Sequence, residues 1–384
     1  MIDLQRSLGL LLRERVAGSD AAERAVEIWG KPGPRWFTTA DPIWRVHADA
    51  SMFVGGLTAL LLQSLHPAAM AGVAGHSGYK SDPWGRLQRT SHYLAGTTFG
   101  TTPDAETIRH TAVAQPLLVA TALASLRAVL GTEATTDLAQ VAPASFDVAA
   151  GHSVGELAAA AVAGVLTDDE ALRLVAVRGA AMARAAAVTP TGMSAVLGGD
   201  PQEVLATLER HHLVPANVNG GGQVVAAGTL AALAALAADP PTRARVVPLQ
   251  VAGAFHTEHM APAVDELRAA ASAVTPGGPT VALLSNADGT VVADGSDALA
   301  RIVAQVANPV RWDLCCATLL ELGVTGLLEV APGGVLTGLA RRTLPGVETV
   351  AVKTPADLDA ARDLVRRHAS SATVPSANSQ EQSS

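Results

Sequence analysis

A Gly-x-Ser-x-Gly sequence at residues 151–155 is the strongest indication of chemistry in this chain of 384 residues. An apolar run, residues 146–150, comes before it and an alanine-rich stretch follows, so the motif lies between a predicted strand and a predicted helix. A turn at this junction lifts the Ser153 hydroxyl out of the sheet. It also directs the N–H of Val154 and the positive end of the helix at one point, where an oxyanion can form. The pattern predicts a serine nucleophile.

A serine nucleophile needs a base. His256 is the first candidate in this sequence, with His259 and His152 as competitors. An acid between serine and histidine would complete a hydrolase triad, yet no Asp or Glu stands out in that interval. The residues alone therefore leave open which histidine is the base and what orients it.

Composition excludes several classes of function. The net charge is −8 and no basic run is present, so we expect no nucleic-acid partner. The two cysteines, Cys315 and Cys316, are adjacent; this excludes a disulfide framework and does not fit the spacing of zinc ligands. They are typical of a buried helix. We expect a reducing, cytoplasmic location and no metal.

The sequence also argues against a membrane partner. Arg13, Glu14 and Arg15 interrupt the first apolar stretch too early for a signal peptide. The longest apolar stretch, residues 48–74, contains polar residues and a proline, so it fits a buried or interfacial pair of helices better than a membrane span.

Aromatic residues and charge divide the chain near residue 100. Nine of the twelve aromatic residues lie in residues 1–100, whose formal charge is +2, and the rest of the chain carries −10. Patterns before residue 104 are helical throughout. From residue 111 onward helices alternate with strand-like runs, which is typical of parallel α/β architecture.

Residues 192–251 follow the βαββαβ order of a ferredoxin-like fold and interrupt the larger α/β unit. The expected domains are a helical segment at 1–104, a large α/β domain at 105–189 and 252–368, a small ferredoxin-like domain at 190–251, and a solvated tail at 369–384.

From about residue 105 to residue 364 the chain resembles the malonyl-CoA:acyl-carrier-protein transacylase family. Besides residues 151–156, the matching motifs are Ala114-Gln115-Pro116, Val177-Arg178-Gly179, Asn217-Val218-Asn219 with Gln223-Val224-Val225, Phe255-His256, Gln305 with Asn308-Pro309-Val310-Arg311-Trp312, and Pro332-Gly333 with Leu336-Thr337-Gly338-Leu339. The resemblance implies an acyltransferase-type, α/β-hydrolase-like large domain with a parallel sheet and an inserted small domain.

The resemblance assigns a role to each matching residue. Ser153 would be acylated, His256 would be its general base, and the backbone carbonyl of Gln305 would orient the histidine in place of an acid. Arg178 would pair with the free carboxylate of malonate through two parallel hydrogen bonds. The further expected substrate-binding residues are His152, Val154 and Asn219.

The implied reaction is ping-pong acyl transfer in fatty acid or polyketide biosynthesis. Ser153 would take the malonyl group from malonyl-CoA, and the phosphopantetheine thiol of acyl carrier protein would receive it. These two substrates are the implied partners. The implied chemistry needs no cofactor, and we expect a monomer.

The chain departs from this family at its N-terminus. Members begin with a core strand and a Gly-Gln-Gly loop that supplies a second oxyanion N–H, and this sequence contains no Gly-Gln-Gly. Loss of one such donor costs about 100- to 1000-fold in rate. The resemblance thus implies an acyltransferase whose rate the missing loop can lower. One alternative is an inactive fused relic.

Another alternative is a serine hydrolase or thioesterase that uses the same turn. A buried Arg178 argues against it, because a hydrolase of neutral acyl chains has no use for a buried cation.

Residues 1–104 resemble the start of a second family, the all-helical rubber-oxygenase and MpaB-like haem proteins. The motifs are Trp44-Arg45-Val46-His47, Leu65-His66-Pro67-Ala68, His76-Ser77 and residues 82–90. Any of His47, His66, His76 and His92 could ligate haem, so a haem-dependent oxygenase is a further alternative. The later helices of that family are absent, and we therefore do not expect haem to bind.

Overall fold

The computed structural model describes residues 109–133 and 136–369. The predicted helical segment at 1–104, its four histidines and all but the first residue of the predicted tail lie outside the described residues.

Helices and strands alternate along the described chain. The helices are α1 (Thr111–Leu130), α2 (Leu138–Val141), α3 (Gly155–Val162), α4 (Asp168–Ala186), α5 (Pro201–Arg210), α6 (Leu230–Ala238), α7 (Ala261–Ala271), α8 (Gly295–Gln305), α9 (Trp312–Glu321), α10 (Val335–Thr343) and α11 (Leu358–Ala369). The strands are β1 (Val148–Ala149), β2 (Thr191–Gly198), β3 (Val214–Gly220), β4 (Gln223–Thr229), β5 (Ala244–Pro248), β6 (Ala282–Leu284), β7 (Val291–Val292), β8 (Val310–Arg311), β9 (Gly326–Glu329) and β10 (Glu348–Ala351). Short 3₁₀ turns occur at Ala142–Ala144, Glu258–Met260 and Pro355–Asp357.

The elements from β2 to β5 form the predicted ferredoxin-like arrangement. The sheet order is β5–β2–β4–β3, with antiparallel pairing between all neighbours. Helices α5 and α6 cover one face around a core that includes Leu208, Ala226 and Leu236. Strand β8 adds to this sheet parallel to β3, which joins the small unit to the segment just before α9.

The larger core lies between helices. Helix α4 packs against α1 and α7, and residues buried there include Leu157, Val175, Met182 and Leu267. Helix α1 is the one described helix long and apolar enough to span a membrane, but more than half of its apolar window is buried within the protein. That burial is typical of a core helix. Cys315 and Cys316 are buried on α9, as the sequence predicts.

The predicted parallel sheet occurs in two parts within the described chain. Strand β1 pairs in parallel with β6, whose other edge carries β7, and β9 pairs in parallel with β10. Between β1 and β9 lies a cavity of about 710 Å³, which α1 covers with Leu118, Ala122 and Leu126. The fold class is thus α/β as predicted, but the described strands do not form one continuous parallel sheet.

The sharp turn after β1 depends on one glycine of the Gly-x-Ser-x-Gly motif and not on the other. A Cβ atom at Gly151 would lie 2.0 Å from the backbone carbon of Gly155, whereas a Cβ at Gly155 would meet nothing within 4 Å. The glycines of such a motif are expected to permit a sharp turn and close packing of the helix, and the structure supports this for Gly151 alone.

We predict that Gly151→Ala lowers the free energy of unfolding by about 3 kcal/mol or more, because backbone must move to admit the methyl group. Its matched control, Gly155→Ala, should change that free energy by less than about 1 kcal/mol. Urea unfolding followed by circular dichroism measures both. Equal effects of the two substitutions would contradict this account of the turn.

Candidate active site

Ser153 lies on the turn between β1 and α3, in a conformation that non-glycine residues rarely adopt. Its φ is 52°, in the left-handed region. Val154 follows as the residue that caps the N-terminus of α3, and within the described chain its N–H donates no hydrogen bond. The turn therefore presents a serine hydroxyl beside a free amide at the positive end of a helix, as the motif predicts.

His256 is the histidine that lies against Ser153. Its Nε2 is 2.7 Å from Ser153 Oγ, and its Nδ1 is 2.8 Å from the backbone oxygen of Gln305. A carbonyl oxygen can only accept, so Nδ1 carries the proton and Nε2 accepts from the serine hydroxyl. The competing candidate His152 bonds instead to Asn219, and no hydrogen bond joins His259 to Ser153.

The surroundings of His256 keep its ring neutral. Burial, and after it the nearby positive charge of Arg178, lower the pKa of His256 to about 3. The hydrogen bond to the Gln305 oxygen opposes these effects without cancelling them. A neutral imidazole with a free Nε2 lone pair is the form that a general base requires.

Arg178 lies on α4 with only 1% of its surface exposed. One terminal nitrogen, Nη1, donates to Gln115 Oε1 at 2.5 Å; the other, Nη2, donates to Gln305 Oε1 at 3.0 Å and to Ser153 Oγ at 3.2 Å. All three acceptors are neutral oxygens. Burial lowers the pKa of Arg178 to about 10, which still leaves the guanidinium charged at neutral pH.

Close helix packing brings Gln115 to this guanidinium. At Gly179, the residue after Arg178, an added Cβ would lie 3.0 Å from the oxygen of Thr111 and 3.2 Å from the Cα of Ala112. The absence of a side chain there lets α1 approach α4, and the side chain of Gln115 on α1 then reaches Arg178.

Two buried residues that the sequence analysis did not identify complete the hydrogen-bond network. Asn286, which follows β6, accepts from the Ser153 N–H at 2.8 Å and donates from Nδ2 to the Gly151 oxygen at 2.8 Å. Glu156 accepts from the N–H of Asn286 at 2.6 Å and also from Nε2 of Gln305. The polar pair Ser285-Asn286 after the apolar run at residues 281–284 was the available sign of Asn286.

His152 and Asn219 form a second pair at the edge of the site. Nε2 of His152 donates to Oδ1 of Asn219 at 2.9 Å, and its ring tilts against Trp312 with centroids 5.6 Å apart. Burial lowers the pKa of His152, while the bond to Asn219 opposes the shift. Together with Val154, the pair borders the cavity between β1 and β9. No cluster of His, Cys, Asp or Glu in the described ranges could hold a metal ion.

Comparison with known proteins identifies the fold and the family. The chain is 51% identical over 290 residues to the malonyl CoA-acyl carrier protein transacylase of Mycolicibacterium smegmatis, covering 72% of this chain and 97% of that relative. Its Mycobacterium tuberculosis counterpart is 54% identical over 262 residues, covering 68% of this chain and 84% of the relative. The chain belongs to the malonyl-CoA acyl carrier protein transacylase family.

Solved structures of the family share this fold. The crystal structure of the M. tuberculosis enzyme superposes with a TM-score of 0.63 at 49% identity, covering 75% of this chain and 97% of that one. A malonyl-transacylase in complex with a type II polyketide acyl carrier protein gives a TM-score of 0.63 at 28% identity, covering 72% and 90% of the two chains. The acyltransferase-type α/β fold implied by the resemblance is confirmed.

The second resemblance is also confirmed, over a longer stretch than the sequence motifs cover. The family described as "ER-bound oxygenase mpaB/B'/Rubber oxygenase, catalytic domain" matches residues 44–276. Because this match covers more than half of the chain, the chain belongs to this family as well. The described part of the span, from residue 109, contains strands β1 to β5 and so is not all-helical. It adopts the fold of the transacylase structures.

The pKa of His256 provides a test of the site's electrostatics. We predict that its imidazole stays neutral from pH 8 down to pH 5 and that Arg178→Met raises its pKa, because removal of the positive charge eases protonation of the ring. Nuclear magnetic resonance of ring-labelled histidine measures the titration. A midpoint near 6.5 in the unsubstituted protein would contradict the burial of this ring.

Proposed function

We propose that this chain transfers the malonyl group of malonyl-CoA to the phosphopantetheine thiol of acyl carrier protein, through an acyl-enzyme formed on Ser153. The observation that carries the proposal is the contact of Ser153 Oγ with both His256 Nε2, at 2.7 Å, and the buried guanidinium of Arg178, at 3.2 Å. A nucleophile, its base and a cation for a free carboxylate thus meet at one hydroxyl.

In the first half-reaction His256 Nε2 takes the proton of Ser153 as Oγ attacks the thioester carbon. The carbonyl oxygen becomes an oxyanion beside the Val154 N–H, which is available to donate to it. The carbon–sulfur bond then breaks, the acyl group remains as an ester on Oγ, and the CoA sulfur takes the proton from Nε2. The Gln305 oxygen holds Nδ1–H throughout, so the ring keeps one orientation.

In the second half-reaction the carrier thiol gives its proton to His256 Nε2 and its sulfur attacks the ester carbon. The bond from carbon to Oγ breaks, the proton returns to Oγ, and malonyl thioester leaves on the carrier. The base therefore ends each cycle neutral, in agreement with its low pKa.

Arg178 is proposed to select substrates that carry a free carboxylate. A planar guanidinium can hold a carboxylate with two parallel hydrogen bonds, and the charge is worth most where water is excluded. Its present acceptors, on Gln115 and Gln305, are neutral and can yield to an anion. A hydrolase of neutral acyl chains would gain nothing from burying such a cation.

The surroundings of the reaction follow from the same proposal. We expect a cytoplasmic monomer that meets malonyl-CoA and acyl carrier protein in solution, without a membrane, a nucleic acid or a cofactor. With no Gly-Gln-Gly in the sequence, the Val154 N–H is the single oxyanion donor that we assign. We therefore expect this chain to transfer malonyl groups more slowly than an enzyme with two oxyanion donors.

Intact mass spectrometry after mixing with malonyl-CoA tests the function. We predict a malonyl adduct on the unsubstituted protein and none on Ser153→Ala, because that substitution removes the oxygen that forms the ester. Added acyl carrier protein, carrying its phosphopantetheine, should discharge the adduct. No adduct at saturating malonyl-CoA would establish instead that the fused chain is inactive.

Selectivity tests the role of Arg178. We predict that Arg178→Ala lowers the rate of malonyl transfer about 10- to 100-fold relative to acetyl transfer, the value of a lost charge-assisted hydrogen bond. Arg184→Ala is the matched control, since Arg184 lies on the same helix but is exposed and paired with Glu266. Equal losses on both acyl groups would contradict the assigned role.

A further inference from the structure

Glu156 is a buried carboxylate that no step of the proposed reaction uses. It lies in the first turn of α3, three residues after the nucleophile, with 3% of its surface exposed. Its Oε1 accepts from the backbone N–H of Asn286 at 2.6 Å, and its Oε2 accepts from the side-chain amide of Gln305. Each oxygen of this carboxylate therefore holds one neighbour.

The first neighbour leads to the nucleophile. Asn286 Oδ1 accepts from the N–H of Ser153 at 2.8 Å, and its Nδ2 donates to the oxygen of Gly151 at 2.8 Å. These bonds join both sides of the turn that keeps Ser153 in a left-handed conformation. Because Glu156 holds the backbone of Asn286, it limits where that side chain can place the serine.

The second neighbour leads to the base and the cation. The backbone oxygen of Gln305 holds His256 Nδ1, and its side-chain oxygen accepts from Arg178 at 3.0 Å. With its Nε2 bonded to Glu156, the Gln305 amide has only one orientation in which Oε1 faces Arg178. The carboxylate thus determines which end of this amide the guanidinium meets.

We propose that Glu156 is a positioning residue for acyl transfer, which aligns Ser153 through Asn286 and aligns His256 and Arg178 through Gln305. The inference rests on the proposed function and adds to it a residue that touches none of the reacting atoms. Removal of this carboxylate should slow the chemical step while leaving the binding of malonyl-CoA nearly unchanged.

The charge of Glu156 adds a pH dependence. Burial raises its pKa to about 7, although the Asn286 N–H and the charges of Arg178 and Arg301 oppose the shift. Among the described residues, the further titratable group that interacts with it is the thiol of Cys315 on α9. When Glu156 binds a proton, its charge is lost and one of its oxygens becomes a donor, so the hydrogen bond that this oxygen accepts is weakened. The acylation rate should therefore fall as pH drops through about 7.

The test compares three variants of the full chain. Glu156→Gln keeps the shape but turns an amide donor toward one of the two N–H groups, and Glu156→Asp keeps the charge. Glu170→Gln is the matched control, because the hydrogen bonds of that carboxylate run to Thr167 at the start of α4. Rapid-quench mass spectrometry with malonyl-CoA from pH 5.5 to pH 8.5 gives the maximal acylation rate and the half-saturating concentration of each variant, and thermal unfolding reports whether each is folded.

We expect Glu156→Gln to lower the maximal acylation rate about 10- to 100-fold, to leave the half-saturating concentration within about threefold, and to abolish the decline in rate below pH 7. Glu156→Asp should recover part of the rate, and Glu170→Gln should retain all of it. A shift in half-saturating concentration alone, or an unchanged rate and pH profile in Glu156→Gln, would overturn the proposal. If Glu156→Gln does not fold, the rate of Glu156→Asp and the pH profile of the unsubstituted protein decide.

A fluorophosphonate separates this inference from the proposed function, since it labels an activated serine without needing a carboxylate site. If malonyl-CoA gives no adduct but the fluorophosphonate labels Ser153 at a rate that depends on Glu156, the positioning role stands and malonyl transfer is wrong. If neither reagent modifies Ser153 in the unsubstituted protein, both proposals are wrong.

Discussion

The burial of a guanidinium beside Ser153 constrains most of the site. Removing the charge of Arg178 from water is costly unless each of its donors meets an oxygen. Three oxygens accept from its two terminal nitrogens, on the side chains of Gln115, Gln305 and Ser153. Those residues come from α1, α8 and the turn before α3. Because Arg178 on α4 needs acceptors from all three, its burial fixes the positions of these four elements relative to one another.

The same network stabilises two unfavourable backbone conformations. Ser153 and His256 both have positive φ, at 52° and 61°, and each such residue costs on the order of 1–3 kcal/mol. Hydrogen bonds hold both conformations: Asn286 bonds to both sides of the turn that carries Ser153, and the Gln305 oxygen bonds to His256. Strain in the reacting pair is therefore balanced by neutral amides and by one carboxylate, Glu156, none of which takes part in bond making.

Local chemistry explains what could be predicted from the sequence. The Gly-x-Ser-x-Gly turn, the alternation of helices and strands from residue 111 and the βαββαβ order are set by short-range patterns, and the described elements agree with them closely. Helices α7, α10 and α11 and strands β7 and β10 lie outside these patterns. The roles of Asn286 and Glu156 could not be read from short-range patterns. Their importance lies in bonds that span about 130 residues of sequence, as from Asn286 to Glu156.

The gap between the two parts of the parallel sheet lies on one side of the site. The cavity between β1 and β9 borders His152, Val154 and Asn219, whereas Arg178 and His256 do not line it. A change on the cavity side alters the surroundings of the Val154 N–H and therefore the stabilisation of the oxyanion. It does not alter the guanidinium of Arg178 or the ring of His256. These groups are held from the other side, by α4 and by the Gln305 carbonyl. On the proposed mechanism, rate and acyl selectivity therefore have separate structural origins, and a chain whose sequence contains no Gly-Gln-Gly can be slow and still select malonyl groups.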